Sequence, residues 1–464
     1  MNVVLGFVVI LLLSFAASRL ALFRGKLSLG TQSFFGAGTE FLLIGLILGP
    51  AVTQVLTDQV LVQLSPVLSL GLGWIGLLVG LQFDRREVVR IPAAVWKLGA
   101  VISLITFLVT FTALDWSLPF LFRWIGAGSL ADDVPRRDYH FLAARLGFLL
   151  AWMATVSTSS PLALVKRDAD ACGGGIRLLQ LLTEVRAPLA IGVMGVWYCF
   201  NHVSISGYSE AEKQLIHHVS SFHAPLPDFV LTEPVLSGPQ WMVLTLLLGV
   251  ALGWMLHYLT SERLEESEML LLTAGSVIFS GGLSSYLHLS PLFVNLIMGM
   301  TLANLPNFYR GRTFNRLLAA EKPFYVVFMI LTGALWPPLS PIILGLFPIY
   351  AAGRAAGLWL GSGLGILVFL PPAARPSPHL GLALLPQGGI ALALAMDFVL
   401  IHPGVMAEIA LNVVILSVLV HQVFGPALLT AFLRASGELE KKPRPGTVSP
   451  PGREPRVPLE AREP

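Results

Sequence analysis

The chain has 464 residues, 55% of them hydrophobic and only 12% charged, against roughly 25% charged in an ordinary soluble domain. That balance argues against a soluble globule, and a net charge of +3 leaves no electrostatic footprint for nucleic acid. The two cysteines, Cys172 and Cys199, fall in a short polar loop and at a helix end, so they supply neither a disulfide framework nor a metal-thiolate site.

A hydrocarbon core of about 30 Å takes roughly 20 apolar residues at 1.5 Å of rise each. Runs of that kind are expected at about 2–23, 34–57, 60–83, 91–114, 139–165, 175–200, 239–258, 268–287, 290–305, 323–337, 340–370, 380–401 and 405–433. The first is too long, and too poor in basic residues at its start, for a signal peptide, so it is expected as a span. The expected architecture is an all-α polytopic membrane protein of about thirteen transmembrane helices. Every second loop is basic, beginning with Arg24 and Lys26, then Arg85, Arg86 and Arg90, then Lys166, Arg167 and Arg177, and later Arg310, Arg312, Arg316 and Lys322. The excess of Lys and Arg on cytoplasmic faces places the N-terminus outside and the C-terminus inside. Residues 434–464 are rich in Pro, Glu, Arg and Lys with almost nothing apolar, the composition of a disordered cytoplasmic tail. Gly71, Gly73 and Gly76 spell G-x-G-x-x-G, but within a hydrophobic span and without the strand–turn–helix context of a dinucleotide site, so they are read as a chance match. No cofactor and no resident metal are expected.

The chain repeats itself. LLIGLILGP at 42–50 is echoed by FVNLIMGMTLANLP at 293–306, and LLVGLQFD at 77–84 by MILTGALW at 329–336. Both offsets are near 250 residues, and the same pairing relates span four to eleven, where Lys97 and Arg354 are each a lone cation, and span five to twelve. An offset of seven helices reverses topology, so spans 1–6 and 8–13 form inverted repeats, the architecture of secondary transporters with sites where a helix in each half is interrupted. Span five carries Thr158-Ser159-Ser160-Pro161 and span twelve carries Pro386-Gln387-Gly388-Gly389. Pro removes a donor, and hydroxyls can satisfy the freed carbonyls.

At these residues the sequence resembles the monovalent cation:proton antiporter superfamily, which includes sodium/proton exchangers and potassium efflux antiporters. The stretches that carry the resemblance are LLIGLILGP, LVGLQFDRREV, STSSPLALV, LSPLFVNLIMGMTLAN, LLPQGGIALALA and VILSVLVHQVFGPALL, together covering about residues 1–433. The resemblance implies two crossing broken helices, spans five and twelve, and a carboxylate on the helix after the first. LLTE at 181–184 matches there, with Thr183 for the first position of the family's paired motif and Glu184 for its ion-binding Asp. It also implies a scaffold from about 2–83 and 268–337, a moving core from about 91–200 and 340–433, and a homodimer in a bacterial-type cell membrane.

Glu184 stands about ten residues into a span entered from the cytoplasm, hence roughly 14 Å deep. A charge there faces a cavity or a partner, and a carboxylate that takes either a proton or a cation is all that antiport requires. The cation and proton site is therefore expected at Glu184, Thr183, Thr158, Ser159 and Ser160, with Pro161, Gly388 and Gly389 as the helix breaks. Arg354 keeps its charge at any relevant pH and needs an acid or carbonyl partner. The resemblance implies that it pairs with the carboxylate region or compensates charge at the half-helix ends. Arg186 lies about 200° around the helix from Glu184, so the two do not pair, and Glu408 or Asp397 is its expected partner. Glu40 and Lys97 are read as structural charges. His202, His217, His218 and His223 are read as a solvated external loop. Function is expected to be exchange of sodium or potassium for protons, and the resemblance implies that it is electroneutral, because a neutral residue precedes the single acid. The competing readings are a non-transporting sensor or assembly protein on the same fold and an inverted-repeat organic-anion transporter.

Overall fold

A computed structural model describes residues 38–124, 139–159, 162, 173–202, 236–260, 266–306, 310–372, 375–377 and 379–438. The first expected span, Ser160, Pro161, Cys172, His217, His218, His223 and the chain beyond residue 438 lie outside them. Fifteen helices run through the described residues. They are α1 (Thr39–Leu48), α2 (Asp58–Gln63), α3 (Ser65–Leu81), α4 (Arg85–Val88), α5 (Ala93–Trp124), α6 (Tyr139–Ala154), α7 (Gly174–Phe200), α8 (Gly238–Leu259), α9 (Glu266–Tyr286), α10 (Pro291–Asn304), α11 (Arg310–Ala334), α12 (Pro341–Phe369), α13 (Leu380–Ala383), α14 (Gly389–Ile401) and α15 (Val405–Ala435). Each of the last twelve expected spans contains a helix. Six helices are long and apolar enough to cross a bilayer, and shorter apolar helices include α1, α3, α10 and α14. The protein is a multi-pass helical membrane protein.

Helix starts follow local chemistry. Pro occupies the first turn of α3, α8, α10 and α12, where its missing N–H is not required. Ser290 caps α10 by accepting from the Phe293 N–H at 2.9 Å, satisfying one of the donors a helix start leaves free. Ser237 and Gln240 close a capping box on α8. The last helix runs to Ala435, two residues into the expected tail. Beyond it, the Glu438 carboxylate accepts from the Gly175 and Ile176 N–H groups, at 2.6 and 3.2 Å, an anion at the positive end of α7.

The packing carries the repeat. α1 packs on α11 and α3 on α10, while α5 packs on α12. Exchanging the repeats turns the α1–α11 pair into the α10–α3 pair and returns α5–α12 to itself. The glycines obey the same operation. Gly45 abuts the Ile330 and Ala334 backbone beside Gly333, and Gly80 abuts Gly299, with a Cβ on Gly80 falling 2.9 Å from the Gly299 Cα. Gly45 matches Gly299 and Gly80 matches Gly333 at nearly the same offset. On α12, a Cβ at Gly353, Gly357 or Gly361 would stand 3.2, 2.6 or 3.0 Å from the Cα of Thr110, Thr106 or Ile102. Such close backbone approach needs small residues at four-residue spacing, the usual means of helix association in lipid. Gly71, Gly73 and Gly76 lie inside α3 against Phe328, Asn295 and Leu292, a packing face and no nucleotide loop.

Two expectations of local environment are corrected. Lys97 does not share the surroundings of Arg354: it is exposed near the start of α5, whereas Arg354 is fully buried, so the repeat preserves helix positions but not these charges. His202 is not free in solvent. Its ring stacks on Trp241 at 3.7 Å and one nitrogen lies 3.0 Å from the Leu287 carbonyl.

Candidate functional site

The end of α6 and the break between α13 and α14 meet in the core. α6 ends at Ala154, and residues 156–158 are outside helix; α13 ends at Ala383, and five residues intervene before α14. The two breaks bond to each other. The Thr158 N–H donates to the Pro386 carbonyl at 2.9 Å, and the Ser157 hydroxyl donates to the Leu384 carbonyl at 2.5 Å. Gly388 lies so near that a Cβ on it would come within 2.9 Å of the Thr158 Cβ and Oγ1. A Cβ on Gly389 would strike the Tyr325 ring, 2.7 Å from its hydroxyl. Glycine is needed at both for the crossing to close.

Gln387, wholly buried, ties the breaks to their surroundings. Its amide donates to the Met153 carbonyl at 2.9 Å and the Tyr350 hydroxyl at 3.1 Å, its Oε1 accepts from the Ser417 hydroxyl at 2.5 Å, and its carbonyl accepts from Gln422 at 2.8 Å. Freed backbone groups at membrane depth are tolerated only when such partners satisfy them.

Arg354, on α12, binds the ends of both half-helices at once. Its guanidinium donates to the Ala154 and Val156 carbonyls at 3.0 and 2.9 Å on one break, and to the Leu385 carbonyl at 2.9 Å on the other. Of the two partners its charge calls for, acid or carbonyl, it takes carbonyls, which crowd at the negative ends of helices.

Arg186 is the second buried cation. It has no accessible surface, and neither Glu408 nor Asp397 pairs with it. Its Nε donates to the Ser103 hydroxyl and Nη1 to the Ser157 hydroxyl, each at 3.2 Å, and Nη2 donates to the Thr155 carbonyl. The expectation of an acid partner failed because a lone buried cation normally takes one, whereas a broken helix offers carbonyls that no residue letter announces. Asp397 instead accepts from the Ser290 hydroxyl at 2.7 Å, at the start of α10.

The expected carboxylate stands apart from this cluster. Glu184 is half-buried, and its hydrogen bond among the described residues comes from Gln180, one turn earlier on the same helix, at 3.0 Å. Thr183 is buried, with its hydroxyl on the Gln180 carbonyl at 2.8 Å; Ser159 is exposed. Thus Thr158, Gly388, Gly389 and Arg354 gather at or beside the crossing, and Glu184, Thr183 and Ser159 do not join them. Ser103, Thr155, Ser157, Gln387 and Arg186 were not among the expected site residues. The hydroxyls flanking the break at 155–158 were the available signal.

Inverted repeats with breaks that meet at their interface are an architecture found in secondary transporters. The chain matches the structure of the sodium proton antiporter MjNhaP1 from Methanocaldococcus jannaschii at pH 8, with 16% identity, a TM-score of 0.55, and coverage of 93% of this chain and 98% of that one. An electron-microscopy structure of the same antiporter matches at 16% identity and a TM-score of 0.50, covering 87% of this chain and 92% of that one. The fold is therefore that of this sodium proton antiporter. No protein-family model matches the sequence, and no curated protein is similar to it in sequence.

Proposed function

We propose that this protein is a secondary active transporter that exchanges a monovalent cation, sodium or potassium, for protons by alternating access and without net charge movement. The observation that carries the reading is the crossing itself: two half-helices bonded to each other and held by Arg354, in a chain that matches a sodium proton antiporter over 93% of its length. Glu184 takes a proton or a cation in turn, and Thr183, Thr158, Ser159 and Ser160 contribute oxygens along the ion's route. The core carrying the crossing moves against the scaffold, in a homodimer lying in the cell membrane with the N-terminus outside and the C-terminus in the cytoplasm. A second reading, a non-transporting protein on the same fold, is favoured by one observation: Arg186 puts a fixed positive charge into the crossing.

Cation-induced dequenching of a pH-sensitive dye in vesicles decides between them. Sodium or potassium addition should release protons across vesicles containing the wild type and not across those containing Glu184→Gln. Failure of the wild type with both cations would overturn the exchange reading and leave the second.

A further inference from the structure

The acceptors around Arg186 form an unusual set for an arginine. A buried guanidinium ordinarily meets a carboxylate, which neutralises it. Here it meets two hydroxyls, Ser103 and Ser157, and one main-chain carbonyl, Thr155. These come from α5 and from the end of α6, while the arginine comes from α7. The donor orientation is consistent with a cation shell. Ser157 spends its proton on the Leu384 carbonyl, so its lone pairs face Arg186. Unwound carbonyls and helix C-terminal ends at a broken helix are groups that coordinate monovalent cations in transporters. Neutral oxygens without a carboxylate suit a singly charged ion better than a divalent one, whose sites draw on carboxylates.

We propose that Ser103 Oγ, Ser157 Oγ and the Thr155 carbonyl form a monovalent-cation site, occupied in this structure by the protein's own guanidinium. Arg186 is a tethered competitor: the oxygens become available to sodium or potassium when its side chain withdraws. The proposal rests on the exchange reading for the identity of the competing ion, but the oxygen cage belongs to the crossing and is testable without transport. A bare cation entering as Arg186 leaves keeps the charge of the crossing unchanged, so the competition is decided by hydration and fit rather than by net electrostatics.

The test is cation binding by purified protein in detergent, read as thermal unfolding in sodium, potassium or choline chloride at equal ionic strength. Arg186→Ala should melt below the wild type in choline and recover in sodium or potassium along a saturable curve, with a response several-fold larger than that of the wild type. Guanidinium at low, non-denaturing concentration should reproduce the recovery and compete with the metal ion. Arg186→Lys, which keeps a tethered cation, should respond as weakly as the wild type. If Arg186→Ala is lost in purification, Arg186→Gln carries the same measurement, because it removes the charge while keeping a polar side chain in the buried space. A neutral variant that folds and gains no cation response over the wild type overturns the proposal. Absence of exchange by the wild type in vesicles would bear on the exchange reading alone.

Discussion

Replacing Arg354 with Gln removes the fork that joins the two half-helices. The Ala154, Val156 and Leu385 carbonyls each lose a charged donor at 2.9–3.0 Å, in a site without access to water. A buried acceptor left unsatisfied costs about 1–3 kcal/mol. The shorter amide can retain one of the three, so two orphaned carbonyls correspond to about 2–6 kcal/mol, with the lower end favoured because polar groups also find partners in the unfolded state within a membrane. A loss of that size lowers the melting temperature by about 2–6 °C. The control is Arg90→Gln, which breaks an exposed pair with Glu87 at 3.0 Å and should cost less than about 1 kcal/mol. Tryptophan fluorescence during heating in detergent measures both. If Arg354→Gln melts with Arg90→Gln, the guanidinium does not hold the crossing together.

Glu184→Gln should insert and fold, since the carboxylate is half-buried with a single neutral partner, but should lose cation/proton exchange in vesicles; exchange at the wild-type level would remove Glu184 from the mechanism. Leu at both Gly388 and Gly389 should abolish transport while a membrane-inserted protein is still recovered, because the side chains would enter space held by Thr158 and Tyr325; transport at the wild-type rate would refute the need for close approach. In proteoliposomes, the equilibrium sodium gradient should not shift when a valinomycin-clamped potassium potential is imposed. Each elementary charge moved would feel about 2.3 kcal/mol per 100 mV, so a shift would require a second titrating group in the cycle.

Spans and breaks were legible because their signals are local. A run of twenty apolar residues, Pro386 with Gly388 and Gly389, and hydroxyls at 158–160 before Pro161 are each read within a few neighbouring positions. The repeat was legible from LLIGLILGP and MILTGALW, and its glycines, Gly45, Gly80, Gly299 and Gly333, are where the backbones touch. Arg354 was legible in kind, as a lone cation requiring acid or carbonyl. Arg186 was not, because its partners lie 29, 31 and 83 residues away and one is a main-chain carbonyl. Lys97 shows the opposite failure: a matching letter at a matching offset acquired a different environment, because burial depends on the neighbouring helix rather than on the repeat.

Charge counting links Arg186 to Glu184. The C-terminal end of a full helix such as α6 presents about half a unit of negative charge, and the four-residue α13 presents less, so Arg354 alone more than offsets both. A second cation at the crossing, whether Arg186 or a bare ion, therefore leaves roughly one positive charge in excess. The acid on the same helix as Arg186 is Glu184, on the opposite face and hence about 10 Å away. At an effective dielectric constant of about 20, a carboxylate at that distance stabilises the cation by about 1.7 kcal/mol, roughly twentyfold in affinity. Protonating Glu184 removes this attraction and favours release of the cation; ionising it favours capture. On the exchange reading, the protonation of Glu184 is thus coupled also to a cation held at the crossing, which lets a carboxylate outside the crossing act on it. Glu184→Gln should accordingly lower the sodium or potassium affinity measured in an Arg186→Ala background by about ten- to twentyfold and abolish its dependence on pH. Equal affinity with either residue at position 184 would mean that the carboxylate and the crossing act independently.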